Sequence, residues 1–206
     1  MTSTGLFIAF EGGEGAGKST QVTRLAESLK SKRHEVATTF EPGDTPVGRQ
    51  LRTILLGHDT GALDPHTEAL LYAADRAEHV ATVIRPALDR GAVCITDRYI
   101  DSSLAYQGAG RTLDPSDIEH VSTWATGGLW PHLTVVLDID PAIGLTRFSA
   151  PADRLEAEPL AFHQRVRDEF LRLSARAPER YLVVDASEAV EKIAAQVLAA
   201  VEARLS

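Results

Sequence analysis

Cysteine is nearly absent. Cys94 is the single one among 206 residues, so no internal disulfide can form, and no Cys/His cluster has the spacing of a zinc site. That scarcity favours a reducing compartment, so a cytoplasmic location is expected. No apolar run is long enough to cross a bilayer, and no membrane association is expected. Residues 1–5 carry no basic stretch ahead of an apolar one, which argues against a secretory signal. Basic residues are outnumbered, 21 Lys and Arg against 29 Asp and Glu, for a formal net charge of −8. Such a balance argues against nucleic acid as a partner, which needs a basic surface. A small anion is still allowed, because a local field can oppose the global one. Neither an internal repeat nor a low-complexity linker breaks the chain.

What is there reads as one globular domain over residues 1–206. The composition, 44% apolar and 24% charged, rules out wholesale disorder. Short β-branched runs at 6–11, 35–40, 92–97, 133–139 and 181–185 alternate with longer helical stretches. The pattern is that of an α/β fold with a central five-stranded parallel sheet and helices on both faces. Residues 18–32 place Val22, Leu25, Ala26 and Leu29 on one helix face. Pro65 opens a long helical stretch ending near residue 90, with Pro86 inside it as a kink or an end. Asp114-Pro115 and Pro141 open further helices; 160–175 and 188–205 complete the set. Residues 148–159 are polar, rich in Pro and Ala and without a period, and read as a mobile loop over a site rather than as core.

The segment Gly12-Gly13-Glu14-Gly15-Ala16-Gly17-Lys18-Ser19, followed by Thr20, fits G-x-x-x-x-G-K-[ST] after a strand and at the opening of a helix. Glycines let successive backbone N–H groups turn toward phosphate oxygens, and the helix N-terminus adds partial positive charge. Lys18 can reach the β- and γ-phosphates of ATP, and the Ser19 hydroxyl can ligate Mg²⁺. Asp97, at the carboxyl end of the third strand, is the matching acid for Mg²⁺, directly or through water; the plain alternative is a turn or cap residue. No Asn-Lys-x-Asp element is present, which argues against a small GTPase.

Three further segments carry a resemblance. The run from Asp97-Arg98-Tyr99 to Tyr106-Gln107-Gly108, the element Glu41-Pro42-Gly43-Asp44-Thr45-Pro46, and Leu70-Leu71-Tyr72-Ala73-Ala74-Asp75-Arg76 together resemble the motifs of bacterial thymidylate kinases, in family order and over essentially the whole chain. The resemblance implies a three-layer P-loop kinase fold with a short lid, ATP-dependent phosphorylation of dTMP to dTDP on the route to dTTP, and a homodimer. It implies that Arg98 grips the acceptor phosphate, which suits a guanidinium fork. Tyr72 stacks on the pyrimidine and Arg76 donates to its O4. The two share one helix face, although an aromatic at that spacing is more often core. Ser102, Ser103, Tyr106 and Gln107 line base and sugar, with Tyr106 crowding the 2′ carbon. Taken alone, Ser and Gln there read as turn residues. Glu14 is matched to the sugar 3′ hydroxyl and the metal, and Glu41 and Pro42 to the acceptor site. Arg52 is a second phosphate contact or a solvated helix arginine. The adenine contacts fall near residues 185–187 by position in the fold.

Phosphoryl transfer between two polyanions needs cations more than a base. Thymidylate kinases carry the last cation in either the phosphate loop or the lid; the variable loop positions Gly13, Glu14, Gly15 and Ala16 hold no arginine, so the resemblance implies the lid type. That lid departs from the arginine-rich run usual in the family: it keeps Arg147 and Arg154. Arg147 is the expected principal cation, with Arg154 a second one or a partner of Asp153 and Glu156. Phe40 and Asp44 are further departures, from arginine and glycine. Two other readings stay open on sequence: a P-loop kinase with another acceptor, and a nucleotide-dependent switch without catalysis.

Overall fold

A computed structural model describes residues 5–147 and 153–205. Five parallel strands form one sheet in the order β2-β3-β1-β4-β5: β1 (Leu6–Glu11), β2 (Val36–Phe40), β3 (Val93–Asp97), β4 (Leu133–Asp138) and β5 (Tyr181–Asp185). The expected strands match within one residue at each end. β1, β3 and β4 are nearly continuous apolar runs because both faces of the sheet are covered. Alternation along β1 sends Ile8 and Phe10 into one core and Phe7 and Ala9 into the other.

Two helices cover the first face. α1 (Lys18–Ser31) and α9 (Val190–Leu205) bury Leu25, Leu29, Ile193 and Val197 against Ile8 and Phe10. Fully burying a side chain of the size of Phe10 is worth about 2–3 kcal/mol. On the other face lie α3 (Pro65–His79), α4 (Arg85–Asp89), α5 (Ile100–Ser103) and α6 (Pro115–Thr126). Asp64 and Asp114 cap α3 and α6 through their first backbone N–H groups, each followed by proline. α8 (Leu160–Arg176) packs on β4 and β5, with Val166 and Phe170 in one cluster with Val136 and Leu173 in the cluster of Phe7 and Ala9, while α2 (Pro46–Leu56) and α7 (Pro141–Gly144) follow β2 and β4.

Two wide π turns interrupt the helices. Val80–Ile84 joins α3 to α4 just before Pro86, which lacks the N–H that the carbonyl four residues earlier would receive. The single helix expected over 65–90 is therefore widened rather than ended. Leu104–Gly110 continues α5, so Ser102, Ser103, Tyr106 and Gln107 lie on a helical segment, not in a turn. Gly110 is required there: a Cβ would run into the Phe162 ring.

β1 is central, with β3 on one side and β4 on the other. The crevice beyond the carboxyl ends of these strands is where an open α/β sheet holds ligands.

Candidate active site

The phosphate loop is a backbone structure before it is a charged one. Gly12 (φ 134°) and Gly15 (φ 67°) occupy conformations that side chains avoid. A Cβ on Gly12 would strike the Leu137 carbonyl, and one on Gly15 the Gly144 carbonyl. The loop is thus pressed directly against β4 and α7. Lys18 Nζ folds back to donate to the Gly12 and Gly13 carbonyls, both at 2.9 Å. Burial lowers its pKa, helped by the neighbouring Arg98.

Ser19 Oγ donates to Asp97 Oδ2 at 2.8 Å, joining the start of α1 to the end of β3. A hydroxyl and a carboxylate in contact are hard oxygen donors that suit Mg²⁺, which takes its remaining ligands from phosphates and water. No group of three or more His, Cys, Asp and Glu suited to a metal occurs among the described residues.

Arg98 follows β3 in a left-handed conformation, φ 71°, rare for a side chain of this size. It donates to Glu14 Oε1 at 2.6 Å, to the Tyr106 hydroxyl at 3.2 Å and to Ser102 Oγ at 3.3 Å, with its guanidinium over the Tyr106 ring. The Tyr106 hydroxyl donates to the same Glu14 oxygen at 2.7 Å. Burial alone would raise the Glu14 pKa; Arg98, Lys18 and the Tyr106 hydroxyl outweigh it and bring the carboxyl down to about 2. Glu14 is thus the counter-ion of Arg98.

One cavity of about 740 Å³ collects these groups. The site residues expected from the sequence line it except Gly12 and Gly13, whose carbonyls accept from Lys18, and the lid arginine Arg154. Lys18, Ser19, Arg147, Tyr72, Arg76 and Gln107 line it together with Arg98 and Glu14.

A family model described as thymidylate kinase matches residues 10–197. The chain belongs to the thymidylate kinase family. It is 56% identical over 199 residues to a thymidylate kinase of Clavibacter sepedonicus, covering 95% of this chain and 94% of that one. It is 52% identical over 204 residues to one of Leifsonia xyli, covering 98% and 96%. The crystal structure of thymidylate kinase from Ehrlichia chaffeensis superposes with a TM-score of 0.79 at 31% identity, covering 96% of this chain and 98% of that one. The P-loop kinase architecture is common to both structures.

The side of the cavity lined by Arg76 and Glu41 is built on buried ions. Arg76 is 1% exposed. Its Nε donates to Glu41 Oε2 at 2.8 Å and its Nη2 to the Tyr99 carbonyl at 3.0 Å, and its guanidinium lies over the Tyr99 ring. His79 holds the other Glu41 oxygen at 2.9 Å. Glu41 therefore fixes Arg76 as well as lining the cavity. Tyr72 serves both readings: it packs with Leu55, Tyr106, Leu155 and Phe162, and it lines the cavity. Burial, with Glu68 nearby, raises its pKa. Arg52 is exposed, yet it is not simply solvated. It donates to the Pro42 carbonyl at 2.7 Å and lies over the Phe40 ring, one of the departures from the family pattern. The other, Asp44, is hydrogen-bonded to Thr39.

The lid expectations need correction. Residues 148–152 lie outside the described residues. Arg147 closes a short 3₁₀ turn and donates to the Gly15 carbonyl at 3.1 Å and the Ala186 carbonyl at 3.3 Å, between the phosphate loop and the end of β5. Arg154 does not pair with Asp153 or Glu156. Its Nη2 donates to Glu68 Oε2 at 2.5 Å and its Nε to the Leu55 carbonyl at 2.9 Å, and it does not line the main cavity. Asp153 and Glu156 instead satisfy each other's backbone: Asp153 Oδ1 accepts from Glu156 N, and Glu156 Oε2 accepts from Asp153 N, both at 2.9 Å. That reciprocal arrangement leaves the arginine between them free to turn elsewhere. Leu155 is buried and joins the core, so this part of the segment is not a purely polar loop, while Asp153, Leu155 and Glu156 do line the cavity as expected of a segment over a site.

Among the buried carboxylates that escaped the sequence reading, two matter most here. Glu11 accepts from Tyr99 N at 2.8 Å and from Ser102 Oγ at 2.6 Å, which sets the turn carrying Arg98; burial and nearby Asp101 push its pKa up. Glu68 is the second. Charged residues at the end of a strand and on a helix look like solvated positions, and no local pattern marks them as buried.

Proposed function

We propose that this chain transfers the γ-phosphoryl group of ATP to dTMP, giving dTDP for dTTP synthesis, as a single kinase domain. The observation that carries the reading is that the phosphate-loop residues Lys18 and Ser19 and the buried Arg76 with Tyr72 line the same cavity. Arg98 lies in its wall and is also tied to the phosphate loop through Glu14. Lys18 and the loop backbone hold the donor phosphates. The Arg98 guanidinium, with its five N–H donors, grips the acceptor phosphate while Glu14 keeps it oriented. Tyr72 stacks on the base, and Arg76, a donor only, selects the O4 carbonyl of thymine over the amino group of cytosine. Ser102, Ser103, Tyr106 and Gln107 complete the sugar and base wall. Arg52 holds the Glu41–Pro42 turn at its edge and is within reach as a second cation. Ser19 and Asp97 would hold Mg²⁺, which neutralises charge on the phosphates when bound.

Two highly charged reactants repel, so positioning and charge neutralisation supply most of the rate. The acceptor is already ionised and needs no strong base. Arg147 is the lid cation of this reading. Its guanidinium is parked on the carbonyls of Gly15 and Ala186, beside the phosphate loop and near the segment where adenine would lie. Homodimerisation through α3 and α6 is the assembly proposed here: Leu70 is 58% and Trp124 84% exposed on these neighbouring helices. No helix among the described residues is long and apolar enough to cross a membrane, and a cytoplasmic location is proposed.

ADP release measured across dTMP, dUMP, dCMP, dGMP and thymidine tests the assignment. Fastest release with dTMP is expected. A faster rate with another acceptor, or ATP binding without acceptor-stimulated ADP release, would overturn it.

A further inference from the structure

Glu68 lies on α3 one turn before Tyr72, and its side chain has no exposure. A buried carboxylate is costly unless its lone pairs are filled. Here they are filled by three residues from two segments. Arg154 Nη2 donates at 2.5 Å, Arg111 Nε and Nη2 at 3.2 and 3.3 Å, and Gln107 Nε2 at 2.9 Å. Despite burial, these donors hold the Glu68 pKa below its ordinary value.

The Gln107 contact has a chemical consequence. A carboxylate only accepts, so the Gln107 amide must turn its nitrogen toward Glu68. Its carbonyl oxygen is then left for the cavity that Gln107 lines. An acceptor there complements the N3–H of thymine. Cytosine presents an unprotonated N3 at the same place, an acceptor facing an acceptor. Arg154 holds the other Glu68 oxygen and ties it to the end of α2 through the Leu55 carbonyl.

We infer that Glu68 is a specificity-determining positioning residue that sets the Gln107 amide for thymine against cytosine, and that Arg154 supports it rather than meeting phosphate. This rests on the dTMP kinase reading above. In Glu68→Gln the two arginines claim the new amide's oxygen, so its nitrogen faces Gln107 and turns that amide over.

The experiment compares kcat and KM for dTMP and dCMP in the full chain. Wild type comes first: failure to turn over dTMP removes the functional reading and this inference with it. With wild type active, Glu68→Gln is expected to lower the dTMP-to-dCMP ratio of kcat/KM by about tenfold or more, the effect of one charged hydrogen bond. KM for ATP is expected to stay within about twofold of wild type. An unchanged ratio in folded Glu68→Gln overturns the inference and leaves the dTMP reading intact. If Glu68→Gln does not fold, Arg154→Met decides. A raised KM for dTMP at near-normal kcat, restored by Arg154→Lys, supports the inference. A fall in kcat of about 10³-fold at unchanged KM would make Arg154 a phosphate cation and refute it, and a lowered melting temperature with both constants unchanged would refute it as well.

Discussion

The Glu14–Arg98 pair makes a prediction about acid stability that can be worked through. Glu14 falls from an ordinary 4.5 to about 2 in the folded protein. That difference corresponds to roughly 3 kcal/mol favouring the ionised form. The folded carboxyl has the lower pKa, so the stabilisation is fully present above pH 4.5 and is lost as pH falls through 2. By pH 3 roughly 2 kcal/mol of it is gone. For a chain of 206 residues this is about 4–8 °C in melting temperature. The perturbation is Glu14→Gln, which keeps the shape and cannot titrate. The assay is thermal or urea unfolding between pH 7 and pH 3, read as the difference between the two profiles so that other carboxylates cancel. Wild type should lose more than the variant by that amount. Arg98→Met removes the principal cation and should flatten the profile in the same way. Parallel profiles for wild type and Glu14→Gln would refute the reasoning, because the cations around Glu14 would then not outweigh its burial.

Four other outcomes are expected. Arg147→Ala should reduce kcat by about 10³-fold with little change in dTMP affinity, by steady-state kinetics and calorimetry; near-normal turnover would remove its role as a cation. Arg76→Met leaves Glu41 buried without its guanidinium, so a loss of about 3–5 kcal/mol in denaturant unfolding is expected beyond any loss of specificity. Glu11 behaves oppositely to Glu14: its raised pKa means the folded state keeps a proton that the unfolded chain has released, so stability falls as pH rises from 4.5 through the folded pKa. Glu11→Gln should flatten that decline, which unfolding measured from pH 5 to 8 would show. Gly144→Ala places a methyl against the Glu14 carbonyl, so destabilisation of about 1–3 kcal/mol and weaker ATP binding should appear together in melting and titration measurements.

The strands and the phosphate loop were legible because each is a local pattern: a short apolar run, then glycines and a lysine at fixed spacing. The acceptor residues were legible only through the family motifs, since Tyr72 or Gln107 alone is an ordinary core or loop residue. What stayed hidden depends on distant partners. Arg154 looks like a cation for phosphate until Glu68, 86 positions away, is found beneath it. Glu11, Glu41 and Glu68 are indistinguishable in sequence from solvated acids, and only the fold reveals that arginines, histidine and backbone N–H groups surround them. The wide turn at Leu104–Gly110 was equally invisible, as nothing in its composition departs from a plain helix or loop.

That wide turn bears on which length changes the gene can tolerate. One residue more than an α-helical circuit is accommodated between Leu104 and Gly110. Deleting a single residue there would let the segment tighten into regular α-helix and swing Tyr106 away from Glu14 by about a quarter of a revolution. A deletion that improves local helix geometry would therefore abolish the enzyme.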